Sequence, residues 1–125
     1  MAFKILLVDD EFPTRKSIIR ELRGLEVQIT ERENGQEALD ELLAKEKSGE
    51  VFDLLITDHL MPELKGFELI AQAKIHFPNL PIILLSGTLN EEDVPEGAIF
   101  IHKPWENNQI KELVEQIIVK TKQGS

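Results

Sequence analysis

Cysteine is absent from the 125 residues, so the chain has neither disulfides nor thiolate metal ligands, which fits a reducing compartment. Long apolar runs are missing too. No stretch approaches the roughly 20 apolar residues that cross a bilayer, and Met1 to Val8 holds only a short apolar run leading straight into acids, unlike a secretion signal. A cytoplasmic location with no membrane contact is the expectation. Positive charge is scarce: 14 Lys and Arg stand against 23 Asp and Glu, a formal net charge of -9. Such a domain repels a phosphate backbone, so direct DNA or RNA binding is not expected. The three histidines, His59, His76 and His102, show no paired ligand spacing for zinc. There is no Walker-type glycine loop and no Gly-x-Ser-x-Gly elbow, so nucleotide-hydrolysing and esterase chemistry lack their parts.

What is present reads as one domain. Hydrophobic residues make up 42% and charged residues 30%, an ordinary globular balance, and the length suits a single core. The expected domain spans residues 1–121, with a tail at 122–125 and fraying from Lys120 to Ser125. Short apolar runs alternate with amphipathic segments, which predicts an α/β sheet with helices on both faces. Strands are expected at 3–8, 27–31, 53–57, 81–85 and 98–102. The first, third and fourth are nearly continuous in apolar residues, as for central parallel strands covered on both sides. Val27-Gln28-Ile29-Thr30 alternates and reads as an edge. Helical stripes fall at Ile18, Ile19 and Leu22, at Ala38, Leu39, Leu42 and Leu43, at Phe67, Ile70, Ala71 and Phe77 before Pro78, and most clearly at Ile110, Leu113, Val114, Ile117 and Ile118. Between the fourth and fifth strands, the acidic stretch from Ser86 to Gly97 contains Pro95 and has room for a turn or two of helix.

Chemistry gathers where the strands stop. Asp9-Asp10 follows the first strand, Asp58 closes the third, and Lys103 follows the fifth. Strand ends of one sense lie along one edge of a parallel sheet, so these groups would meet in one acidic cleft. Carboxylates suit a hard cation such as Mg2+, and an amine can neutralise a phosphate. Each residue also has a plainer reading. The acids suit helix amino termini or backbone N–H groups, and Lys103 suits a surface position. Ser86 suits a turn or cap, and Phe100 a core strand. Lys103-Pro104 is an X-Pro bond in a tight turn, one setting where a cis peptide is found. Ser86 could alternatively donate its hydroxyl to a phosphoryl oxygen.

Together, Leu6-Leu7-Val8-Asp9-Asp10-Glu11, Asp53 to Pro62 with Asp58 at its centre, Leu84-Leu85-Ser86 and Lys103-Pro104 resemble the receiver domain of two-component response regulators, over nearly the whole chain. The resemblance implies a flavodoxin-like fold with a five-stranded parallel sheet ordered 2-1-3-4-5. It implies that Asp58 accepts a phosphoryl group from a phosphohistidine of a sensor histidine kinase or phosphotransfer protein. Mg2+ would be held by Asp9, Asp10, Asp58 and the backbone carbonyl of Leu60. Lys103 would contact the phosphoryl oxygens, Ser86 would move toward them, and Phe100 would be the aromatic switch, without the hydroxyl of a tyrosine. The chain would be catalytic only on itself, and an apolar Leu60, at a position that with Thr88 tunes hydrolysis in this family, implies slow dephosphorylation. One departure stands out: Ser86 to Lys103 is shorter than the family pattern, so the fourth helix is expected to be short or missing and the usual dimer through it is not expected. A C-terminal output domain could follow Ser125. The alternatives are a receiver-like interaction domain that no longer switches and a free-standing phosphatase, for which no substrate cap is evident.

Overall fold

A computed structural model describes residues 2–123. Five strands, β1 (Phe3–Val8), β2 (Val27–Arg32), β3 (Leu54–Asp58), β4 (Ile82–Ser86) and β5 (Ala98–His102), alternate with helices α1 (Phe12–Glu21), α2 (Gly35–Ser48), α3 (Gly66–His76) and, after β5, α4 (Gln109–Gln123). All neighbouring pairs are parallel and the order is β2-β1-β3-β4-β5, as the resemblance implied.

Side chains of a strand point alternately to its two faces, so an unbroken apolar run fills two cores at once. On one face Ile5, Leu7, Leu54, Ile56, Ile83 and Leu85 meet Ile18 and Leu22 of α1 and Ile110, Val114 and Ile117 of α4. On the other, Leu6, Val8, Leu55, Ile82 and Leu84 meet Ala38 and Leu42 of α2 and Leu69, Ile70 and Ala73 of α3. Each such buried side chain contributes roughly 1.5–3 kcal/mol, which fixes the three central strands firmly. The edge strand β2 has no buried residue, in line with its alternating sequence. Asn34 caps α2 by accepting from the Glu37 N–H at 2.8 Å, and Gly49 ends that helix in the left-handed region at φ 78°.

Two local expectations change. The buried stripe of α3 is Gly66, Leu69, Ile70 and Ala73, with Phe67 only half-buried and Ala71 exposed. Nearly every residue from 66 to 73 is apolar or small, so periodicity alone could not select the face that meets the sheet. Lys120 to Gln123, expected to fray, continue α4, where the Thr121 hydroxyl donates to the Ile117 carbonyl at 2.8 Å. Gly124 and Ser125, the rest of the expected tail, lie outside the described residues.

The crossover from β4 to β5 holds a single 3-10 turn, Glu91–Asp93, in place of a full helix. Leu89 and Val94 lay their side chains against the α2–α3 core, and the Lys74 ammonium of α3 donates to the Glu96 carbonyl. Gly97, at φ 87°, then turns the chain into β5. No described helix is long and apolar enough to cross a membrane.

Candidate functional site

Parallel pairing sets the strand ends level. Val8 stands opposite Thr57, Asp58 opposite Leu85, and Ser86 opposite His102, so Asp9, Asp58 and Lys103 arrive at the same edge. The Lys103 ammonium lies 3.2 Å from Asp9 Oδ2 and 3.2 Å from Asp58 Oδ1. Asp9, Asp10 and Asp58 each present a carboxylate oxygen within 4.8 Å of the others. Asp9 is 0% and Asp58 7% exposed, while Asp10 is exposed. Backbone donors orient the two buried acids: the Glu11 N–H to Asp9 Oδ1 at 2.9 Å and the His59 N–H to Asp58 Oδ1 at 2.9 Å.

The cleft is short of positive charge. Burial pushes the Asp9 carboxyl above its ordinary pKa despite the Glu11 N–H and Lys103, and Asp10 adds to the rise. Asp58 is raised by burial and then by the Asp9 charge, again opposed by Lys103. For Lys103, burial lowers the pKa, but the two acids outweigh it and the net shift is upward. The three carboxylates form an all-oxygen donor set that suits a hard divalent cation, which would offset the burial and mutual repulsion that raise the two buried acids.

The helix after Asp58 is pressed against it. A Cβ built on Gly66 would stand 2.6 Å from the Asp58 carbonyl oxygen and 2.8 Å from His59 Cα, both backbone atoms that cannot swing aside. Gly66→Ala is therefore expected to destabilise the fold by about 1–3 kcal/mol through overpacking. Urea unfolding with an unchanged m-value checks this.

Of the residues named from sequence, the structure unites Asp9, Asp10, Asp58 and Lys103, while the side chains of Ser86 and Phe100 make other contacts. Ser86 Oγ accepts from the backbone N–H groups of Thr88 at 3.1 Å and Leu89 at 3.3 Å, which is its plainer reading as a turn residue. Phe100 is half-exposed on the edge strand, its ring edge-on to His102 at 6.0 Å, and does not join either core. Leu60, two residues after Asp58, is 51% exposed. The Lys103–Pro104 peptide is cis. Trp105 Nε1 donates to Glu21 Oε1 at 3.1 Å, and Glu21 Oε2 accepts from the Lys111 N–H at 2.8 Å, so the loop after Lys103 is tied to α1 and α4.

Sequence reasoning missed Arg15, a buried residue of α1 that donates to the Asp9 carbonyl. Its signal was a charged residue on the same helical stripe as Ile18 and Leu22.

The family model for the response regulator receiver domain matches residues 5–115. The chain belongs to this family. Among curated relatives, this receiver domain is 30% identical over 121 residues to the response regulator receiver protein CpdR of Brucella abortus, covering 93% of this chain and 97% of that protein. Among solved structures, it matches a two-component transcriptional regulator AraC from Clostridium phytofermentans at a TM-score of 0.83 and 27% identity, over 98% of this chain and 97% of that one. The receiver domain from the hybrid histidine kinase CckA matches at a TM-score of 0.73 and 31% identity, over 91% and 97%. The receiver fold thus carries its acid cluster at the carboxyl edge of the sheet, where ligands of open α/β sheets bind.

Proposed function

We propose that this receiver domain takes a phosphoryl group onto Asp58 from the phosphohistidine of a sensor histidine kinase or phosphotransfer protein in the cytoplasm, and changes conformation in response. The observation that carries the reading is the Lys103 ammonium shared at 3.2 Å between Asp9 and Asp58, with Asp10 in reach of the same point. Asp9, Asp10, Asp58 and the Leu60 backbone carbonyl would hold Mg2+, which when bound supplies charge screening and orientation for in-line transfer.

An ionised Asp58 oxygen attacks phosphorus, the new O–P bond forms as the P–N bond breaks, and the electron pair returns to the donor imidazole. The His59 N–H on Asp58 Oδ1 holds the carboxylate in place, and Lys103 favours its ionised form against burial and the Asp9 charge. The incoming group adds about -1.5 to -2 of charge and three acceptor oxygens. Lys103 neutralises part of that charge. For Ser86 to donate to the phosphoryl group, its Oγ must leave the Thr88 and Leu89 N–H groups, so the crossover has to rearrange. Phe100, half-exposed on the neighbouring edge, is the side chain with room to turn inward. Such a switch shifts an equilibrium between two arrangements of the loop.

Incubation with Mg2+ and phosphoramidate should add the mass of one phosphoryl group, absent with EDTA and mapped to Asp58 by borohydride reduction. An unchanged mass would overturn the proposal and favour the non-switching interaction domain, which the single-turn crossover favours. Multiple turnover of a generic phosphate ester would instead revive the phosphatase. Leu60 offers no hydrogen bond to an attacking water, so the phosphorylated form is expected to persist for minutes or longer by intact mass. Decay within seconds would refute this. With one 3-10 turn in the crossover, pairing through a helix at that place is not available, and any output domain following Ser125 would have to be engaged differently.

A further inference from the structure

Among the described residues, Arg15 is the one buried charged residue outside the acid cluster, at 6% exposure. A guanidinium so enclosed is costly unless its donors are met. It donates from Nη1 to the Asp9 carbonyl at 2.7 Å and from Nε to Glu31 Oε1 of β2 at 2.9 Å, with Glu33 at 3.9 Å from Nη2. The Asp9 carbonyl belongs to the peptide group that carries Asp10. Asp9 is therefore fastened at its carboxylate by Lys103 and the Glu11 N–H, at its own N–H by the Arg32 carbonyl at 3.2 Å, and at its carbonyl by Arg15.

Asp10 differs from its two companions. Among the described residues no hydrogen bond or ion pair restrains its carboxylate, whereas Asp9 and Asp58 are each held by a backbone N–H and Lys103. Its approach to within 4.8 Å of them is thus set by the backbone on which it hangs. We infer that Arg15 is a positioning residue for the cation site, holding the Asp9–Asp10 peptide so that the Asp10 carboxylate is preset beside Asp9 and Asp58. A purely adhesive role between α1 and β2 is already duplicated, because Lys16 also reaches Glu31, at 3.2 Å. The contact to the Asp9 carbonyl is not duplicated by that lysine. Main-chain anchoring of this kind is how a supporting group tunes a metal site without touching the ion.

The inference rests on the proposed cation site, and the test separates the two. Mg2+ binding to the unphosphorylated protein is measured by titration calorimetry for wild type, Arg15→Met, Arg15→Lys and Glu31→Gln, with thermal unfolding run alongside. Wild type should bind. Arg15→Met should weaken binding about tenfold, within the range seen when supporting groups of metal sites are removed. Arg15→Lys retains the charge but cannot span both acceptors, and should weaken binding several-fold. Glu31→Gln removes only the charge of the β2 partner, whose amide oxygen can still accept from Arg15 Nε, and should leave Mg2+ affinity within about twofold even where it lowers stability. If Arg15→Met does not fold, Arg15→Lys decides. Arg15 variants that lose stability yet bind Mg2+ like wild type would overturn the inference alone. A wild-type chain that takes up no Mg2+ would overturn it together with the proposed cation site.

Discussion

Asp58→Asn is expected to abolish phosphoryl uptake and, in the same protein, to raise the unfolding temperature of the metal-free form. The loss follows because an amide has no anionic oxygen to attack phosphorus, whereas its Oδ1 can still accept the His59 N–H now bound to the carboxylate. The gain follows from the raised pKa, caused by burial first and the Asp9 charge second. A carboxyl whose pKa is higher folded than unfolded favours folding when protonated and opposes it when ionised. At neutral pH the wild type carries that penalty and the variant does not. Lys103 loses one partner but keeps Asp9 at 3.2 Å, so the balance favours the variant. A gain of about 1–2 kcal/mol corresponds to a rise of roughly 3–8 °C. The gain should be full above the folded-state pKa of Asp58, decline as the pH falls through it, and vanish only below the lower unfolded-state pKa, where the carboxyl is neutral in both states. Saturating Mg2+ should erase the difference by stabilising the wild type preferentially. A variant that melts lower than wild type without metal at neutral pH would refute the electrostatic account.

Lys103→Gln should have the second-largest effect, slowing phosphorylation of Asp58 by about a hundredfold or more, the usual cost of losing a preset donor to developing charge. Here the loss is compounded. Asp9 and Asp58 share this one cation at 3.2 Å, and without it both carboxyls rise further and Asp58 is less often the anion that attacks. Stability should also drop, by about 3 kcal/mol, because two desolvated acids lose their counter-charge. Mg2+ should recover much of that stability but little of the rate, since the cation cannot replace the ammonium on the phosphoryl oxygens. The checks are an intact-mass time course with phosphoramidate and urea unfolding with and without Mg2+. A rate within an order of magnitude of wild type would remove Lys103 from the reaction.

The acids and Lys103 were legible in the sequence because each ends an apolar run, and parallel strands bring such ends together. The short crossover was legible from its length and Pro95. The strand order came from family resemblance, since nothing local in the runs specifies which neighbours pair. The buried face of α3 was hidden by its apolar surplus: with Phe67, Ala71 and Ile75 as apolar as Leu69 and Ile70, only the sheet chooses among them. The plainer reading of Phe100, beside its implied role as the aromatic switch, was a core residue of an apolar strand, yet β5 is an edge, and even Ile99 stays 40% exposed there. Arg15 was passed over because a basic residue in a first helical turn ordinarily faces water, and its acceptor is a main-chain oxygen that no side-chain pattern announces.

The single-turn crossover has a mechanical corollary. A rod transmits a push along its whole length, whereas a pliant strap absorbs it over a few residues, and here the strap is further moored by Lys74 to Glu96. A second conduit out of the cleft is the loop after Lys103, laced through Trp105 and Glu21 to α1 and α4. A displacement born at Asp58 would thus reach that flank as well as the crossover.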